Sequence, residues 1–287
     1  SGLRHYQADS HLYAWLEAKG IDFDLITDRE LHEEGVDSIR DYKALCTGSH
    51  PEYHTPQTLD ALQNYRDQGG RLVYLGGNGF YWKIALSPED PELIEIRRGE
   101  SGIRAWAAEP GEYYHSFDGS YGGLWRRNGR PPQLLAGVGF SAQGKFEGSY
   151  YRRTAESRAP DLAWMFEGIE DQEILGDFGF SGGGAAGFEL DRADVRLGTP
   201  EEVRVVASSE NHTSSFVLVP EEMLTHITNW PGEEEQQKLI RSDIVYFQTP
   251  SGGEVFSTGS ITFCGSLPWN DFDNNISRLL ELSLIHI

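Results

Sequence analysis

In the segment Thr47-Gly48-Ser49-His50-Pro51-Glu52-Tyr53, an imidazole and a carboxylate are held apart by a single proline. Such a pair can work as acid and base on one substrate, or offer a metal ion one or two donors. Pro51 fixes a φ angle and stiffens the turn between the two side chains. The segment is equally compatible with a helix-capping carboxylate beside a hydrogen-bonded loop histidine.

Other reactive side chains are less well placed. Ser49 lies in the same turn, but adjacent residues seldom orient a base onto a nucleophile, and triad partners usually come from separate segments. Cys46 belongs to the apolar run Tyr42-Lys43-Ala44-Leu45-Cys46 and lacks the small-x-nucleophile-x-small frame of a nucleophile elbow, so it reads as a small buried hydrophobe. The run Gly182-Gly183-Gly184-Ala185-Ala186-Gly187 has no Gly-Lys-Ser/Thr ending and is a weak phosphate-loop signal. Its small residues instead suit close backbone packing around a ligand or a neighbouring strand, with Glu189 presented beyond them and Arg192 within pairing distance. No Cys/His metal-binding spacing and no His-Glu-x-x-His occurs, and His32-Glu33-Glu34 reads as a helix face. A metal here would have to use oxygen ligands, with at most one histidine, from distant parts of the chain.

The elements that must hold these residues follow from the apolar pattern. Tyr42 to Cys46 reads as a buried strand ending at the His50 segment. Thr55 can cap a helix with Pro56 in its first turn; Leu59, Leu62 and Tyr65 share a face, and Gly69-Gly70 stops it. Arg71 to Leu75 is a further strand, and Gly76-Gly77-Asn78-Gly79 follows at once. Strand, helix, strand over about 30 residues implies a parallel pair with a right-handed crossover. Asn78 is thereby expected near His50 and Glu52, at the carboxyl ends of neighbouring strands, where open α/β sheets bind ligands. Upstream, Leu12, Tyr13, Trp15 and Leu16 predict an amphipathic helix closed by Gly20, Asp22 to Thr27 a first strand, and Asp28 to His32 a helix start. Residues 87–179 read as a loop-rich insertion with short strands, covering the carboxyl edge of the sheet as a lid. Regular pattern returns in Val203 to Ala207, Asp243 to Phe247, Glu254 to Ser257 and a last helix from Asp273 through Leu280. The whole predicts one α/β domain with a doubly wound, mostly parallel sheet and an insertion.

Composition sets the outer limits. With 24 Lys+Arg against 45 Asp+Glu and a net charge of −21, general attraction to nucleic acid or an anionic membrane is excluded, and the acidity suits a solvated or salt-tolerant surface. No run approaches the ~20 apolar residues of a membrane span. Ser1-Gly2-Leu3-Arg4 carries no signal-peptide pattern, and Cys46 and Cys264, both in apolar runs, suit a reducing compartment, so a cytoplasmic setting is expected. The chain opens in mid-architecture, as a piece of a longer one would. Leu282 to Ile287 resemble a translated transposase sequencing adaptor, so the native domain is expected to span residues 1–281.

Several long motifs occur in one order: Thr47 to Tyr53, Gly69 to Trp82 (GGRLVYLGGNGFYW), Gly122 to Arg127 (GGLWRR), Gly183 to Arg192 (GGAAGFELDR) and Gly253 to Leu267 (GEVFSTGSITFCGSL). Together they closely resemble the large (beta) subunit of the N,N-dimethylformamidase family, over nearly the whole chain outside the tail. The resemblance implies the carboxyl-terminal, glutamine-amidotransferase-like (flavodoxin-like) domain of an enzyme that hydrolyses N-substituted formamides to an amine and formate. It also implies a mononuclear Fe(III) held by two Tyr phenolates and one Glu carboxylate, a small partner subunit, and oligomerisation. The Glu ligand falls on Glu52, while His50, Asn78 and Glu189 fall on active-site positions. The two Tyr ligands are expected upstream of Ser1, and neither Tyr53 nor Tyr81 is assigned to that role. Two other classes remain open: a non-catalytic amidotransferase-like scaffold or carbohydrate-associated module, and a metal-independent hydrolase using Ser49 or Cys46.

Overall fold

The computed structural model describes residues 4–90, 92–99, 109, 111–219 and 232–286. Ser1 to Leu3 and parts of the 87–179 span, residues 91, 100–108 and 110, therefore lie outside the described residues. In chain order the elements are helices α1 (Arg4–Ala18) and α2 (Asp28–Glu34), strands β1 (Ala44–Cys46) and β2 (Tyr53–His54), helix α3 (Pro56–Asp67), and strands β3 (Arg71–Tyr74), β4 (Trp82–Leu86) and β5 (Ile94–Ile96). There follow α4 (Pro132–Ala136), β6 (Gly139–Arg153), β7 (Ala186–Arg192), β8 (Arg204–Glu210), β9 (Val217–Leu218), α5 (Glu233–Leu239), β10 (Asp243–Gln248), β11 (Glu254–Ser257) and α6 (Asn275–His286).

The expected α/β class is met by a mixed sheet in the order β1-β3-β11-β10-β8-β6-β7, with β9 beside β6. β1, β3 and β11 are parallel to one another, and the remaining neighbours are antiparallel. A second sheet of β2, β4 and β5 flanks it. Helices cover both faces because successive strand residues point to opposite sides. Val73, Ile244 and Phe256 pack with Trp15 of α1 and with Ile276, Leu279 and Leu280 of α6, whereas Leu72, Val245 and Val255 pack with Leu59, Leu62 and Tyr65 of α3. The Trp15 indole N–H donates to Ser277 Oγ at 2.8 Å, fastening the two helices on the first face.

Two expectations change. Asp22 to Thr27 form no strand: Leu25 is 66% exposed and Asp24 accepts a hydrogen bond from the Tyr42 hydroxyl, so the stretch passes the β1 edge without pairing to it. Within 87–179, β6 is a fifteen-residue strand of the main sheet, paired with β7 and β8. Its alternation is interrupted by Gly144 and Gly148 and by register shifts, which is why no strand period is legible there. The last helix runs through Leu282 and Ser283, both buried, to His286.

Candidate active site

β1 and β3 deliver the first three residues. Thr55 caps α3, its hydroxyl accepting from the Thr58 N–H at 3.2 Å, and the helix carries the chain back so that β3 pairs in parallel with β1. Beyond the strand ends the two loops stay zipped: Gly77 N–H donates to Ser49 O at 3.3 Å, Phe80 N–H to Pro51 O at 2.7 Å, and Tyr81 and Trp82 N–H groups to Glu52 O at 3.0 and 2.9 Å. A Cβ at Gly76 would lie 2.6 Å from Ser49 O, so the close approach needs glycine. Asn78 and Phe80 take left-handed φ values of 53° and 54°, which turn the chain sharply enough to face Asn78 toward Glu52. Asn78 Nδ2 then donates to Glu52 Oε1 at 3.2 Å, and His50 Nε2 meets Glu52 Oε2 at 2.9 Å.

β7 supplies the fourth. Gly184 and Gly187 allow the run before it to lie directly on β6, since a Cβ on Gly187 would be 2.3 Å from Glu147 O. This is the close-packing role expected of the glycine run. Phe188, at a left-handed φ of 60°, re-aims the strand, and Glu189 Oε2 comes to 3.4 Å from His50 Nδ1 while Gln143 Nε2 donates to Glu189 Oε1 at 3.2 Å. Arg192 pairs instead with Asp194 at 2.8 Å. The structure thus brings His50, Glu52, Asn78 and Glu189 together.

Charge fixes the protonation of the histidine. His50 Nδ1 also lies 2.9 Å from Gly77 O, so both ring nitrogens face acceptors and both must donate. Burial alone would lower its pKa, but the hydrogen bond to Glu52 and the negative charges of Glu189 and Glu52 raise it to about 9. Burial would raise Glu52 in turn; its hydrogen bond with His50, the His50 charge and the Arg98 charge hold it below the ordinary carboxylate range. The site is an imidazolium between two carboxylates, with a carboxamide on one of them.

Several supporting residues carry no sequence signal of their own. Asp191 Oδ1 accepts from the Asn78 backbone N–H at 2.7 Å, Asp191 Oδ2 from the Tyr74 hydroxyl at 2.9 Å, and that hydroxyl accepts from the Gly79 N–H at 2.8 Å. Asp9 of α1 accepts from the Ser49 N–H at 2.7 Å, and the His5 ring stacks on His50 with centroids 4.6 Å apart. Only the period-2 placement of Asp191 beside Glu189 on one strand face could have drawn attention to it.

The alternative nucleophiles are poorly disposed. Burial pushes the Cys46 thiol up to about 12, and Cys264 is buried with its thiol raised for the same reason. Ser49 is fully buried and faces no base among the described residues. Tyr81 is packed edge-on against Phe140, and the exposed Tyr53 has its hydroxyl accepting from Arg98 Nη2 at 2.6 Å. No group of three His, Cys, Asp or Glu among the described residues could enclose a metal ion. Glu52 fits a hard cation as a single donor: its side chain keeps 12% exposure, and a carboxylate has about four acceptor positions, more than the contacts with His50, Asn78 and Tyr53 use.

This is an α/β domain with its polar site where the ends of two parallel strands, β1 and β3, meet Glu189 and Asp191 of β7. The family model described as "N,N-dimethylformamidase beta subunit-like, C-terminal" matches residues 1–275, and the chain belongs to that family. It is 43% identical over 272 residues to the N,N-dimethylformamidase beta subunit of Paracoccus aminophilus, covering 95% of this chain and 35% of that protein. With the N,N-dimethylformamidase beta subunit of Alcaligenes sp it shares 42% identity over 274 residues, 96% of this chain and 36% of the relative. The chain spans about a third of the length of these two relatives.

Proposed function

We propose that this chain is the carboxyl-terminal part of a dimethylformamidase-type hydrolase, splitting N-substituted formamides into an amine and formate. The observation that carries the reading is the convergence of His50, Glu52, Asn78 and Glu189 from three separate segments, in a chain over 40% identical to subunits of that name. The parallel β1-α3-β3 unit, with its site at the strand ends, supports an amidotransferase-like reading of the fold.

Glu52 would donate one carboxylate oxygen to a ferric ion, and the two phenolates would come from the part of the relatives' length that this chain does not span. The chemistry such an ion supplies is Lewis acidity toward a formyl oxygen or a water. The chain's own residues divide the remaining work. Glu189, a carboxylate held by Gln143 and facing His50, accepts the proton of the attacking water; His50, already doubly protonated, holds positive charge beside it and can return a proton to the departing amine. Asn78 uses one N–H to orient Glu52 and has a second for the oxyanion. Water adds across the C–N bond, giving formate and the free amine.

Two further expectations follow from the same reading. The relatives are named as subunits, which supports partner chains. The free thiols of Cys46 and Cys264 support a reducing, cytoplasmic setting. No helix among the described residues is long and apolar enough to cross a membrane.

The test uses the full-length subunit in its complex. Glu52→Gln should lose both bound iron and formate release, whereas Glu189→Gln should keep the iron and lose about 10²-fold or more in kcat, the scale of general base catalysis. Retention of iron by Glu52→Gln would sink the metal assignment.

A further inference from the structure

We propose that Asp191 is a positioning residue for Asn78, acting with the Tyr74 hydroxyl to lock the Asn78 to Phe80 turn so that the Asn78 carboxamide reaches Glu52. The proposal rests on the reading of Glu52 and Asn78 given above. Its basis is that both carboxylate oxygens of Asp191 are committed to this one turn. Oδ1 takes the Asn78 N–H directly at 2.7 Å, and Oδ2 takes the Tyr74 O–H at 2.9 Å, which in turn takes the Gly79 N–H at 2.8 Å. Tyr74 and Asp191 are fully buried and Asn78 is 2% exposed, so water cannot replace a lost partner cheaply.

The turn needs such a lock. Asn78 and Phe80 both sit at left-handed φ, and Phe80 has a bulky side chain, so the conformation persists only where its surroundings over-determine it. The two backbone N–H groups so held, those of Asn78 and Gly79, flank the Cα that bears the Asn78 side chain, whose Nδ2 is the group on Glu52. Asp191 itself sits at a disfavoured position for a carboxylate: burial pushes it up, and even with the hydrogen bonds from Asn78 and Tyr74 opposing that, it stands at about 7. An apolar residue would fill that volume at less expense to stability but could not hold the turn. Because Asp191 and Glu189 are alternate residues of one strand, β7 carries the proton acceptor and the brace for the opposite loop together.

The experiment measures formate release by the full-length subunit in its complex, with iron content assayed alongside. Asp191→Asn turns one acceptor into a donor, and Tyr74→Phe removes one hydroxyl while keeping the ring. Each should lower kcat by about tenfold or more, the scale of a small misplacement of a catalytic group, with KM within about twofold and iron retained. Placed in an Asn78→Ala background, either substitution should cost less than about twofold further, because a residue acting through Asn78 has nothing left to position. Amide hydrogen exchange at Asn78 and Gly79 should quicken about tenfold in both variants while the rest of β3 stays protected. If Asp191→Asn does not accumulate as folded protein, Tyr74→Phe carries the test. Wild-type kcat in the variants, or losses that multiply in full with Asn78→Ala, overturns the proposal alone. Wild-type kcat in Asn78→Ala itself overturns the catalytic reading of Asn78, and the proposal with it.

Discussion

A methyl group at position 77 would sit 2.6 Å from the Glu189 carbonyl oxygen and 2.8 Å from the Ile261 nitrogen, both backbone atoms that no side-chain rotation can move. Gly77→Ala must therefore push β7 away from the β3 loop and widen the gap between His50 and Glu189. The expected result is a loss of about 1–3 kcal/mol in urea unfolding, typical of overpacking, together with a drop in kcat for the activity proposed above. Unchanged unfolding would show that the strand gives way freely. His212 offers a separate test by pH. Its Nε2 accepts from the Ser209 hydroxyl at 2.7 Å, and burial lowers its pKa to about 4 against a weaker opposing pull from Glu147. The unfolded chain then binds this proton first, so the contribution is fully present above about pH 6.5 and falls by at most about 1.4 kcal/mol per unit down to about pH 4. Comparing urea midpoints at neutral and mildly acid pH should show a shallower decline in His212→Gln than in the parent. At this scale the short-range part of the site was legible: His50 and Glu52 are two residues apart, and Asn78 follows the next strand. Asp191 was not, because its partners Asn78 and Tyr74 lie 113 and 117 residues away, beyond any local pattern.

Among the elements, α3 and the strands it joins follow the sequence closely because each signal is local. The Thr55 cap, the proline in the first turn and the apolar face of Leu59, Leu62 and Tyr65 all appear where expected. Thr55→Ala should cost about 1 kcal/mol in unfolding free energy, the usual value of such a cap, and loosen the loop between β1 and α3. A change within error would show that the buried Thr55 side chain is held by contacts other than its cap. β6 failed to show in the sequence for the opposite reason. Its burial is decided by partners on both sides, β7 and β8, and its glycines break the alternation that would mark a strand. Asp22 to Thr27 has the alternation but lies outside the sheet edge at β1, so a local pattern was present without the neighbour needed to make it a strand.

For the molecule as a whole, the dominant quantity is the charge of −21, carried over a three-layer core that is apolar on both sheet faces. Like charges on one compact body repel, and the compact form suffers more than the unfolded chain. Raising sodium chloride from about 0.05 M to about 1 M shortens the screening length from over 10 Å to about 3 Å, so the urea midpoint should rise with salt. A flat or falling midpoint would mean that local ion pairs, such as Arg153 with Asp171 at 3.0 Å, outweigh the global repulsion. The acidity was plain in the composition; the distribution of strand directions was not, since only the β1-α3-β3 unit has a connection short enough to dictate parallel pairing.

The close approach of Gly77 to Glu189 also sets an order in time. Glu52 and Asn78 belong to one βαβ unit whose parts emerge from the ribosome together, whereas Glu189 follows Asn78 by 111 residues of synthesis (189 − 78). At the usual pace of translation, about 5–20 residues per second, that gap lasts on the order of seconds. A nascent chain can therefore present the Glu52 carboxylate well before Glu189 exists, and the four side chains come together only when β7 closes over the loop that was waiting for it.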